Sequence, residues 1–163
     1  MSQYGSRMPG KAALKAELEA ALAAALETAK RAHAAAIEGA THSEARAEND
    51  KDTRGLEQSY LARGQAMRVA ELETAVARVA AWVVPAFGAG ARIALGALVT
   101  VEGDDQQLFI AIDGGGTVLA GGTVRVVTPQ SPLGRALLGR VVDDEVELRL
   151  PGGVRVLAIE SVG

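Results

Sequence analysis

The 163-residue sequence predicts an α+β chain: an N-terminal antiparallel helical hairpin of the coiled-coil type, then a small antiparallel β domain with one short helix. Three observations predict it. Composition switches near Trp82, from Ala, Glu, Lys and Arg with few glycines to Gly, Val and Leu. Before the switch, apolar residues recur at helical spacing; after it, they fall in short bounded runs. A Ser-Pro pair opening a short amphipathic stretch and a later Pro-Gly-Gly turn punctuate the second half.

The first helix is expected from about Pro9 to Ala40. Leu14, Leu18, Leu22 and Leu26 recur every four residues, and Ala25, Ala29, Ala32, Ala36 and Ile37 continue a face. Alanine is the strongest intrinsic helix former, and its small side chain lets a partner helix approach. The second helix is expected from about Thr53 to Val83, with Val69, Leu72, Val76, Val79 and Val83 at the 3-4-3-4 spacing of a coiled-coil seam. Two such helices joined by a short polar loop pair antiparallel, and an arm of roughly 30 residues is about 45 Å long. The hairpin is assigned residues 1–84, with an acidic tip near 44–54; Pro85 to Gly90 form the linker, and 91–163 the second domain.

In that domain, strands are expected at Ala91–Val101, Gln107–Ile112, Thr123–Val127, Val146–Leu150 and Val154–Ile159. Turn chemistry separates them: Gly103-Asp104-Asp105, Asp113-Gly114-Gly115-Gly116 and Pro151-Gly152-Gly153. The one helix runs from Ser131 to Leu138, with Ser131 as N-cap, Pro132 at the first helical position and Gly139 as the stop. The glycine run after Asp113 lacks the Gly-Lys-Ser/Thr ending of a phosphate loop.

Composition excludes several classes. Without cysteine there is neither a disulfide framework nor a thiolate zinc site. A net charge of −3 argues against phosphate neutralisation as the main anchor. No run of about 18 apolar residues spans a bilayer, and the polar first ten residues hold no apolar signal core, so a cytoplasmic protein without a membrane partner is expected. His33 and His42 are lone histidines with no zinc spacing; His33 falls on the apolar stripe of the first helix.

The tip gathers Glu44, Glu48, Asp50 and Asp52 within nine residues. Read from composition, this is a polar connection in which Asp52 or Thr53 caps the second helix. Arg46, Lys51 and Arg54 balance those carboxylates on a solvated surface.

The stretch Val127-Thr128-Pro129-Gln130-Ser131-Pro132-Leu133-Gly134-Arg135-Ala136-Leu137-Leu138-Gly139-Arg140, followed by Asp143-Asp144-Glu145-Val146-Glu147 and Pro151-Gly152-Gly153-Val154, resembles the C-terminal domain of the bacterial GreA/GreB transcript-cleavage factors. The resemblance is concentrated in residues 122–162 and thin in the helical arm. It implies an FKBP-like fold for the second domain. It also implies docking on the rim helices of the RNA polymerase β′ subunit, at the entrance of the secondary channel, through Gln130, Ser131, Pro132, Leu133, Arg135 and Leu137.

For the hairpin tip, the resemblance implies entry into the channel. There two carboxylates help hold a second magnesium ion, shared with the polymerase site and not bound stably by the free protein. Two metal ions clamp the attacking and leaving oxygens as a water cleaves the RNA phosphodiester. Glu48-Asn49 resembles the family's Glu-Asn pair, which makes Glu48 and Asp50 the expected metal-orienting residues, with Asp52 and Glu44 next. A second register, set by Arg68-Val69-Ala70-Glu71-Leu72-Glu73, puts Glu48 at the family's Asp and Lys51 at its Glu. Arg46, Lys51 and Arg54 then take a second reading, as contacts to the 3′ end of the nascent RNA.

The function implied is a transcription elongation factor that stimulates the polymerase's own cleavage of backtracked RNA and is not itself an enzyme. The alternatives are a channel-binding regulator without cleavage, a prolyl isomerase by fold analogy, and a coiled-coil oligomer. The elongation-factor reading expects a monomer.

Overall fold

The computed structural model describes residues 10–46 and 53–163, with residues 43–46 and 53–54 described by their backbone alone. The helices are α1 (Lys11–Arg46), α2 (Thr53–Ala81) and α3 (Pro132–Leu137). The strands are β1 (Leu98–Val101), β2 (Gln107–Ile110), β3 (Val118–Leu119), β4 (Val124–Val127), β5 (Glu145–Leu150) and β6 (Gly153–Val162). The chain divides into two compact units: Arg78–Gly163 with the residues up to Glu19, and Ala20–Ala77.

The Ala20–Ala77 unit is helical. Leu22, Ala29, Ala36, Leu72 and Ala75 are buried, and Leu26, His33, Val69 and Val76 are half-buried. The seam of α1 therefore runs 22, 26, 29, 33, 36. Strict four-residue steps drift off a 3.6-residue turn, and three-residue steps correct the drift. Ala32 and Ile37, expected on the seam, are exposed beside it, and His33 takes the inner position. Gly39 lies where a Cβ would come within 2.9 Å of Gln58 Oε1, so the missing side chain lets α2 approach. α1 continues six residues past the expected end at Ala40, because Glu44, Ala45 and Arg46 are good helix formers.

The other unit is built on a six-stranded sheet in the order β3-β4-β2-β1-β6-β5. The sheet is mixed. β1 pairs antiparallel with β2 and β6, β5 with β6, and β3 with β4, but β2 and β4 run parallel. A parallel pair needs a crossover. Here residues 111–123 supply it, containing β3 and a 3-10 turn at Ala120–Gly122. The two-residue β3 is too short to show periodicity, which is why the sequence reads as all-antiparallel. Residues 91–97, expected as strand, are irregular. Gly96 sits at φ +97, Ala97 N donates to Ala94 O (3.0 Å), and Gly96 N donates to Ile110 O (2.7 Å).

Each face of the sheet is covered. Val99, Val101, Leu108, Ile110, Val127, Val146, Leu157 and Ile159 form one core with Leu137 of α3. On the opposite face Phe109 meets Trp82, with ring centroids 5.7 Å apart. Trp82, not Val83, continues the α2 seam after Leu72, Ala75 and Val79, since the helix ends at Ala81 and Val83 is 85% exposed. The first turns of α1 join this core through Leu14 and Leu18, both fully buried. Gly114 (φ +83) lies where a Cβ would sit 2.7 Å from Leu18 Cδ1, so the glycine-rich crossover serves close packing.

Polar contacts fix the same joint. Ala120 N donates to Glu17 Oε2 (2.8 Å), and Arg78 Nη1 to Asp113 Oδ2 (3.3 Å). Lys11 Nζ donates to Pro85 O (3.3 Å) and lies 4.2 Å from the centre of the Phe87 ring. Burial lowers its pKa below the ordinary lysine value.

Candidate functional site

The turn into α3 is built from its own residues. Ser131 has extended backbone angles (φ −68, ψ 155) and its Oγ accepts from Gly134 N (3.0 Å) while donating to Thr128 O (2.8 Å). Pro132, at the first helical position, needs no N–H partner there. A Cβ at Gly134 would lie 1.9 Å from Thr128 O, so only glycine lets α3 sit this close to the end of β4. Gly139 (φ +81) ends the segment, and its N–H donates to Ile93 O (2.8 Å). Asp144 Oδ2 accepts from Val141 N (2.9 Å) in the acidic turn before β5.

Between α3 and the β5–β6 hairpin is a cleft of about 330 Å³. Its floor is apolar, with Val101, Leu108 and Leu157 buried and Leu133 and Leu148 half-buried. Ser131 and Pro132 form one lip, Leu150 and Arg155 the other, and Arg125 and Asp104 complete the lining. The register explains this grouping. Leu108 pairs with Arg125 across β2 and β4, and Leu148 with Arg155 across β5 and β6, so all four side chains share one face.

Of the six expected docking residues, Ser131, Pro132 and Leu133 line the cleft. Gln130 and Arg135 are exposed beside it. Leu137 is fully buried and holds α3 to the sheet, so it reaches no outside partner in this conformation. The residues not anticipated are Arg125, Arg155, Leu148 and Leu150. The alternation Val146-Leu148-Leu150, read against the Pro-Gly-Gly hairpin, was the signal for the last three. No aromatic side chain lines the cleft, and Phe109 points to the other face. An aromatic-walled proline pocket is not built here.

At the hairpin, Glu44 and Arg46 fall in the last turn of α1 and Arg54 in the first turn of α2. Glu48, Asp50, Lys51 and Asp52 lie outside the described residues. Among the described residues no group of three or more His, Asp or Glu gathers to hold a metal ion, and no helix is long and apolar enough to cross a membrane.

Residues 89–163 match the family model described as transcription elongation factor, GreA/GreB, C-terminal. The chain is 36% identical over 98 residues to a protein of Nautilia profundicola named transcription elongation factor GreA, the match covering 58% of each chain. It is 33% identical over 94 residues to the protein of that name from Novosphingobium aromaticivorans, again over 58% of each. The alignment thus spans less than two thirds of those relatives' length. Among solved structures, Gfh1 of Thermus thermophilus aligns at 21% identity and a TM-score of 0.38, covering 89% of this chain and 94% of that one.

Proposed function

We propose that the chain is a transcription elongation factor of the GreA/GreB family that binds RNA polymerase at the secondary channel, a reading supported by the match of residues 89–163 to that family's C-terminal domain. The docking surface is the cleft beside α3, and its contact on the polymerase is the β′ rim helices. The observation that carries the reading is the placement of Ser131, Pro132 and Leu133 around an apolar cleft, every lining residue of which lies within the family-matched domain.

Docking there needs no chemistry from this chain. The cleft gives an apolar floor, two guanidinium groups and a lip held rigid by the Ser131 cap. The chemical contribution comes from the hairpin tip. In this reading Glu48 and Asp50 act there, with Asp52 and Glu44 the next candidates. Carboxylates are the hard oxygen donors that magnesium takes, one or two at a time with waters completing its shell. A magnesium ion shared with the polymerase supplies charge stabilisation for the oxygens of the cleaved phosphodiester. Arg46, Lys51 and Arg54 carry positive charge near the RNA 3′ end, where they hold phosphate in position. The protein stimulates the polymerase's own endonuclease and acts as a monomer.

The test is a backtracked elongation complex with labelled RNA and magnesium, given the wild-type chain or a Glu48→Ala/Asp50→Ala double variant. Rapid cleavage that the double variant loses while still competing for the polymerase is the expected result. Tight binding with no cleavage by either makes the chain a channel-occupying regulator. Absence of binding removes the assignment.

A further inference from the structure

We propose that the cleft beside α3 selects a polymerase segment presenting a leucine-sized apolar side chain next to a carboxylate, and that Arg125 and Arg155 are the selecting residues. This rests on the docking reading above and names the chemistry of the partner surface.

Three observations carry it. The first is the shape and lining of the cleft. Its volume, about 330 Å³, is on the order of ten water volumes, and its floor of Val101, Leu108 and Leu157 suits an inserted aliphatic side chain. The second is charge. Arg125 and Arg155 both line the cleft, and neither forms an ion pair with any described residue. Arg125 Nε is buried and finds no acceptor among the described protein groups. A guanidinium donor left without an acceptor is costly to bury, and a carboxylate is the acceptor whose geometry it fits. Asp104 is the one carboxylate in the lining; its Oδ1 accepts from Gln106 N (3.0 Å), and it stands beyond ion-pair distance of either arginine. The lining therefore keeps a net positive charge.

The third observation is that the apolar surface does not end at the lip. Gly153 stands opposite Leu150, so no cross-strand side chain covers the leucine, which is 46% exposed. Leu150 and Arg155 also border a second hollow at the Pro151-Gly152-Gly153 turn, together with Val154. A partner seated at Ser131 and Pro132 thus meets apolar side chains across the cleft as far as Leu150, with Arg155 beside it.

The experiment measures the affinity of RNA polymerase for the fluorescently labelled chain by anisotropy, at two salt concentrations. Arg155→Glu, at an exposed position, and Arg125→Met, which keeps the aliphatic stem, are compared with Arg149→Glu. Arg149 is on the same strand as Leu148 but pairs with Val154 on the outer face, so it is a matched charge control. Arg155→Glu is expected to weaken binding at least tenfold and to flatten its salt dependence. Arg125→Met should weaken it severalfold, and Arg149→Glu should stay within twofold of wild type. Equal effects of Arg155→Glu and Arg149→Glu, or wild-type affinity in both cleft variants, overturn the inference and leave polymerase docking intact. Failure of the wild-type chain to bind removes both. A dimer at the assay concentration that Arg155→Glu dissolves overturns the inference by naming a second copy of the chain as the occupant.

Discussion

Substituting Gly134 by alanine tests how the turn into α3 is built. The added Cβ lies 1.9 Å from Thr128 O. An ordinary carbon–oxygen contact needs about 3.3 Å, so α3 or the end of β4 must move by about 1.4 Å. The acceptor is a backbone carbonyl that also takes the Ser131 hydroxyl and the Ser131 N–H, so it cannot rotate away without losing both. Moving α3 instead lifts Leu137 out of the core. Overpacking of this kind costs about 1–3 kcal/mol, and a rigid backbone obstacle puts the cost near 3. Alanine's helical preference over glycine returns about 1 kcal/mol. The net loss is about 2 kcal/mol, a fall in Tm of about 4–8 °C at about 2–4 °C per kcal/mol for a chain of this size.

Trp82 makes the assay specific. It is the only tryptophan and lies against Phe109, so its fluorescence in urea or thermal unfolding reports on the β unit. Gly152→Ala is the control, because nothing lies within 4 Å of its Cβ position; such surface changes stay within about 0.5 kcal/mol. If Gly134→Ala unfolded at the same midpoint as Gly152→Ala, the reasoning about the turn would be refuted.

Ser131→Ala removes the α3 cap, and a loss of about 1 kcal/mol is expected in the same unfolding assay. Trp82→Ala, followed by circular dichroism, should lose about 3–5 kcal/mol, because the indole fills the face of the sheet opposite α3. Arg78→Met removes an exposed ion pair with Asp113 and should change stability by less than about 1 kcal/mol, with the difference shrinking as salt is added.

How legible these features were in the sequence depends on how local their causes are. The α3 turn was readable because a cap, a first-turn proline and a stop glycine act within a few residues of each other. The helical hairpin was readable from its stripe, but the stripe's phase was not. His33 sits on the stripe as expected, but Ala32 falls off it and Trp82 replaces Val83, since phase depends on where the helix drifts and ends. The mixed sheet was hidden because β3 is two residues long and its role is set by pairing with β4, a tertiary fact. Arg125 and Arg155 read as ordinary strand residues until the register brings them to one cleft. At the tip, four carboxylates in nine residues read from composition as a solvated polar turn, and only the family resemblance turns them into a metal-orienting site. Nothing in their spacing selects which two converge.

The measurement closest to the central claim is a site-specific crosslink. Gln130 is exposed beside the cleft and outside its lining, so a photoreactive benzoylphenylalanine in its place leaves the cleft lining intact. On irradiation with RNA polymerase, the account predicts an adduct to the β′ subunit that excess unlabelled wild-type chain suppresses. No adduct, or one confined to a different subunit, would contradict it.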